Sequence, residues 1–172
     1  MKFNIPNSLT ITRILLIPLI VYLFLSNEES YRIIIFSLFL LATITDYLDG
    51  FFARYMKQVT SFGEFLDPVA DKLLVIITLI LLISENQDTL FLIPVLIIVT
   101  REFLVIAIRQ RLAEAGQSIK LSVLLISKIK TAIQLISLLL LLYKFPFFGI
   151  DIYQLGIHLL QIASLLTLIS FF

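Results

Sequence analysis

Apolar stretches close to the roughly 20 residues that a bilayer-spanning helix needs recur along the whole 172-residue sequence. They run from about Asn7 to Ser26, Tyr31 to Arg54, Phe65 to Ser84, Leu90 to Leu112, Leu121 to Tyr143 and Ile150 to Phe172. Short polar connections separate them: Asn27-Glu28-Glu29-Ser30, Lys57 to Ser61, Glu85-Asn86-Gln87-Asp88, Glu114 to Lys120 with Gly116 as a helix stop, and Lys144 to Gly149 with Pro146 as a breaker. At 60% hydrophobic residues the chain exceeds the roughly 45–50% of a soluble domain. The pattern predicts an all-α polytopic membrane protein, a bundle of six transmembrane helices forming one domain over residues 1–172. Asn7 or Ser8 is expected to cap the first helix. Met1–Pro6 carries no signal-peptide cleavage pattern, so the first run is expected to remain as an anchor.

The net charge of +1 singles out no partner class, and no nucleic-acid partner is expected. The absence of cysteine excludes disulfides, thiolate metal sites and thiol nucleophiles. The placement of Lys and Arg is more telling. The connections after the first, third and fifth stretches offer Arg32 and Lys144. The amino terminus and the other connections offer Lys2, Arg13, Arg54, Lys57, Arg109, Arg111 and Lys120, with Lys128 and Lys130 just inside the fifth stretch. By the positive-inside rule both termini are cytoplasmic, together with the junction of the second and third helices.

Four aspartates flank that junction: Asp46, Asp49, Asp67 and Asp71. A charge at bilayer depth costs roughly 2.5–3.5 kcal/mol, so four of them need a compensating partner. On a helix, Asp46, Asp49, Gly50 and Ala53 fall within one arc of roughly 100°. Gly63, Asp67 and Asp71 share a face of the next helix. Carboxylate oxygens suit hard divalent ions, and two antiparallel helices can present all four to a pair of them. Such a pair clamps a phosphorylated ligand and stabilises a leaving phosphate oxygen. Plainer readings exist. Asp67-Pro68 has the form of an N-cap followed by proline, with Asp71 near the positive helix end, and Asp46 and Asp49 could pair with buried Arg or Lys. Intramembrane carboxylates also line the paths of divalent-cation transporters, although clustering at one membrane face beside Arg54 argues against a through-path.

The spacing D-x2-D-G-x2-A-R-x8-G-x3-D-x3-D is filled at all eight fixed positions by Asp46, Asp49, Gly50, Ala53, Arg54, Gly63, Asp67 and Asp71. In this the chain resembles the CDP-alcohol phosphotransferases. The resemblance implies six transmembrane helices, commonly a homodimer, and a polar cavity open to the cytoplasm of the bacterial inner membrane. It implies two divalent cations, Mg²⁺ or Mn²⁺, on Asp46, Asp49, Asp67 and Asp71. It further implies a cytidine diphosphate pocket shaped by Asp49, Gly50, Ala53, Arg54 and Gly63, with Arg54 countering the diphosphate, and Asp71 as general base. Ile5–Arg13, Asp67–Lys72, Arg101-Glu102-Phe103 and Lys128-Ile129-Lys130-Thr131 are similar to one bacterial branch of that family. Members of that branch move a phosphatidyl group from CDP-diacylglycerol to sn-glycerol 3-phosphate. Ser127 stands where the branch usually has glycine. Inositol phosphate, serine and phosphatidylglycerol are the other acceptors the family chemistry allows.

Asn7, Thr10 and Arg13 recur at spacings of three on the first helix and could reach nucleotide or metal-bound water, or serve as cap and interfacial anchor. A glycerol phosphate dianion needs cations of its own. Arg101 lies inside an apolar stretch, Lys128 and Lys130 open the next, and Arg109 lies about 80° around the helix from Arg101. These four are the candidate acceptor-phosphate residues. Anchoring is the plain reading of Arg109, Arg111 and Lys120. A pair between Arg101 and Glu102 is disfavoured because adjacent helical residues point apart. His158 is expected to be packed or hydrogen-bonded in the last helix.

Overall fold

The computed structural model describes the backbone of residues 5–56, 61–114, 125–146, 149 and 151–170, and the side chains of 10–46, 69–108, 110–111, 128–146, 149 and 151–170. Among the described residues the chain is all-helical, with no strand. The helices are α1 (Ile5–Leu25), α2 (Tyr31–Met56), α3 (Ser61–Glu85), α4 (Thr89–Glu114), α5 (Leu125–Tyr143) and α6 (Ile152–Ile169). Thr89–Ile108 and Ile152–Ile169 are long and apolar enough to cross a membrane. At 1.5 Å per residue, the 18 residues of α6 span about 27 Å, near the thickness of a hydrocarbon core.

Several expected boundaries move. Asn7 and Ser8 do not cap α1, because the helix already runs from Ile5. Pro6 is tolerated there, since a first-turn N–H has no intrahelical acceptor to lose. Residues Gly63 to Pro68 lie inside α3, which begins at Ser61 rather than Phe65. This overturns Asp67-Pro68 as a helix start. The last helix is shorter than Ile150–Phe172. Asp151 caps it, its side chain accepting from Gln154 N at 3.1 Å, and Ser170 closes it.

The chain divides into two compact units, Met1–Leu82 with Leu142–Lys144, and Ile83–Leu141 with Phe145–Phe172. In the first, α1 packs along α2. The buried row of α1 is Thr10, Arg13, Ile17, Ile20 and Phe24, at helical steps of three and four. Ile35, Phe39 and Ala42 supply the buried row of α2, and Ala70, Leu74, Thr78 and Leu81 that of α3. Asn27 turns the chain after α1 with φ 55°, a left-handed conformation that asparagine adopts more readily than most residues.

In the second unit α4 packs on α6. Pro94 lies within α4 and has no N–H for the carbonyl of Leu90, one turn back. Gln161 of α6 fills that role, its Nε2 donating to Leu90 O at 3.1 Å. Gly156 lets α5 and α6 approach at backbone distance. A β-carbon there would lie 2.9 Å from Leu141 Cγ and 3.2 Å from Leu141 N. Ser137 Oγ donates across the same gap to Gly156 O at 2.8 Å, a small-residue contact of the kind that joins helices in lipid. His158 is exposed rather than packed, and of the two expectations for it the hydrogen bond holds, its Nδ1 lying 3.4 Å from Gln161 Oε1.

Candidate active site

Each helix of the first unit continues its buried apolar row into a charged residue. On α1, Arg13 lies four residues before Ile17, and on α2, Asp46 lies four after Ala42. On α3, Asp71 lies three before Leu74. Residues three or four apart share a helix face, so the packing that buries the apolar rows also brings these three ends together. Arg13 Nη1 is 2.9 Å from Asp46 Oδ1, and the same nitrogen donates to Asp71 Oδ1. The guanidinium is 1% exposed, whereas the two carboxylates are 43% and 39% exposed. Thr10, a turn before Arg13, is buried.

Two acidic groups from separate helices thus converge on one positive centre, sealed on the arginine side and open on the carboxylate side. A buried arginine as partner for Asp46 was one of the plain readings of the sequence, and Arg13 fills it. Asp49, Gly50, Ala53 and Arg54 lie on α2, and Gly63 and Asp67 on α3. Their side chains, like that of Asn7 on α1, are outside the described residues. Among the described residues no three acidic or histidine side chains form a metal cage. Of the four aspartates expected as ligands, Asp46 and Asp71 are the two whose side chains are described, and both carry hard oxygen donors.

The second unit holds another charged cluster. The buried row of α4 (Phe91, Val95 and Ile98) ends at Glu102, and that of α5 (Lys130, Gln134, Ser137, Leu138 and Leu141) begins at Lys130. Lys130 Nζ donates to Glu102 Oε1 at 2.7 Å, with both side chains 5% exposed. Arg101 Nη1 lies 3.3 Å from the same oxygen, and its Nη2 donates to Ser170 Oγ at 3.3 Å. The disfavoured pairing of Arg101 with Glu102 is therefore present. The arginine side chain is long enough to fold back over its neighbour, whose carboxylate is turned inward to Lys130. Two cations sharing one carboxylate leave a net charge of +1 around a buried oxygen. Lys128 is exposed, and the side chain of Arg109 is outside the described residues.

Sequence reasoning undervalued Arg13 and Glu102. The signal for Arg13 was its isolation, since α1 has no acidic residue with which it could pair. The signal for Glu102 was a carboxylate between Ile98 and Phe103 in an apolar run.

The model of the family described as CDP-alcohol phosphatidyltransferase matches residues 3–170. The chain is also similar to proteins named CDP-diacylglycerol–glycerol-3-phosphate 3-phosphatidyltransferase. With that of Wigglesworthia glossinidia brevipalpis it is 42% identical over 175 residues, covering 100% of this chain and 94% of the relative. With that of Haemophilus influenzae the identity is 43% over 170 residues, covering 99% and 90%. With that of Rickettsia typhi it is 44% over 169 residues, covering 97% and 92%.

Proposed function

We propose, since this chain belongs to the CDP-alcohol phosphatidyltransferase family, that it transfers the phosphatidyl group of CDP-diacylglycerol to sn-glycerol 3-phosphate, giving phosphatidylglycerophosphate and CMP. The full-length relatives bear the name of that reaction. The observation that carries the reading is the convergence of Asp46 of α2 and Asp71 of α3 on one cationic nitrogen.

The oxygen-only donor set fits hard divalent ions, and the nitrogen shared by Asp46 and Asp71 marks a point where both carboxylates accept a positive centre. Asp46, Asp49, Asp67 and Asp71 would hold Mg²⁺ or Mn²⁺. When bound, the ions would neutralise the diphosphate and the departing phosphate oxygen. Asp71 takes the proton of the acceptor hydroxyl, the freed oxygen attacks the lipid-linked phosphorus, and the phosphorus–oxygen bond to CMP breaks with its electrons leaving on CMP. Gly50, Ala53, Arg54 and Gly63, with Asn7 and Thr10, line the nucleotide side. Arg101 and Lys130, aided by Arg109 and Lys128, hold the acceptor phosphate, because a dianion needs donors beyond those occupied by the diphosphate.

The six helices cross the inner membrane as a bundle, with both termini and the α2–α3 junction in the cytoplasm. Large apolar side chains are exposed on every helix, among them Leu15, Ile34, Ile80, Leu96, Ile136 and Leu165. A water-soluble monomer rarely carries this much apolar surface, whereas acyl chains cover it without cost. The test is CMP release by purified protein given CDP-diacylglycerol, Mn²⁺ and one acceptor at a time. Glycerol 3-phosphate is expected to support release, with inositol phosphate, serine and phosphatidylglycerol at background. Release with inositol phosphate alone would remove the acceptor assignment, and no release with any acceptor would favour an ion transporter.

A further inference from the structure

Arg13 is the one charged residue in the 21 residues of α1. Its side chain is sealed from solvent at 1% exposure while reaching carboxylates on two other helices. An arginine is almost never so buried unless paired. Two carboxylates close enough to share one nitrogen repel each other, and the positive charge between them offsets that repulsion. The cation here comes from the buried side, and the acids open toward solvent on the other.

We infer that Arg13 is a built-in placeholder cation. It keeps Asp46 and Asp71 converged in the metal-free protein and competes with a divalent ion for their Oδ1 atoms. This rests on the metal-site reading given above. A placeholder has a signature that a purely structural arginine lacks. Removing it weakens the metal-free protein and strengthens metal binding, because the carboxylates lose their internal partner and the incoming ion no longer meets a positive charge a few ångströms away. A structural arginine, once removed, loosens the site and weakens both.

The experiment uses the full-length protein in detergent, with Mn²⁺ binding followed by electron paramagnetic resonance and thermal unfolding measured in EDTA and in Mn²⁺. For Arg13→Gln the dissociation constant for Mn²⁺ is expected to fall at least about tenfold. Its unfolding temperature is expected to lie below wild type in EDTA and to rise further than wild type on adding Mn²⁺. An unchanged or raised dissociation constant overturns the inference. Should Arg13→Gln fail to fold, Arg13→Lys decides the matter. It keeps the charge and loses the planar fork, so its dissociation constant is expected to stay at or below that of wild type, and a rise, the mark of a loosened structural site, overturns the inference. Absence of Mn²⁺ binding in wild type, or wild-type binding in Asp46→Asn and Asp71→Asn, would instead bring down the metal-site reading and this inference with it.

Discussion

Asp71→Asn is expected to lower the rate of CMP release by about a hundred- to ten-thousandfold, the range over which a positioned general base acts, while the protein stays folded. The amide keeps the shape of the carboxylate and can still accept from Arg13, which also retains Asp46 at 2.9 Å. What the amide cannot do is take a proton from the acceptor hydroxyl, and it is a poorer ligand for a hard cation. The loss should therefore fall on turnover, with the unfolding temperature in detergent close to that of wild type. Side-by-side turnover and unfolding measurements check both halves. Near-full activity in Asp71→Asn would mean that the proton leaves by another route.

Glu102→Ala has the largest expected effect on stability, about 3–5 kcal/mol, the cost of stripping a buried charge of its partner. Lys130 and Glu102 are each 5% exposed and 2.7 Å apart, and Arg101 leans on the same oxygen at 3.3 Å. Deleting the carboxylate leaves Lys130 with its ammonium buried and two cations facing each other. Lys130→Met should cost less, because Glu102 keeps Arg101 as a partner. The double variant Glu102→Gln with Lys130→Met should recover part of the loss, since no ammonium is then buried without its carboxylate, while Arg101 still loses its contact with Glu102. Chemical or thermal unfolding of the three proteins in detergent orders them, and equal losses in all three would show that the pair does not act as a unit. Against total stabilities of about 5–15 kcal/mol, the single Glu102 variant should also accumulate poorly.

The existence and type of the helices were plain from the lengths of the apolar runs, and the carboxylate motif was plain from its spacing. Which face of each helix is buried was not. Ile33, Ile34 and Ile35 are identical neighbours on α2, yet only Ile35 is buried. A helix apolar all round carries no stripe from which to read its inward side. The starts of α1 and α3 were misplaced for a related reason. Pro6 and Pro68 look like boundaries, but proline is accepted in the first turn and can be held inside a helix by surrounding packing, as Pro94 is in α4 beside Gln161. The partners of Arg13 and Glu102 were not legible because they lie 33, 58 and 28 residues away, at Asp46, Asp71 and Lys130. Only the packing of the helices brings those partners within reach.

The most direct test of the central claim follows the phosphate of labelled glycerol 3-phosphate into lipid while CMP is counted in the same reaction. With CDP-diacylglycerol and Mg²⁺ or Mn²⁺, one labelled lipid is expected for each CMP released, with both ceasing in EDTA and returning when the ion is restored. CMP release without label in the lipid, or undiminished transfer in EDTA, would contradict metal-assisted displacement by the carboxylates of α2 and α3.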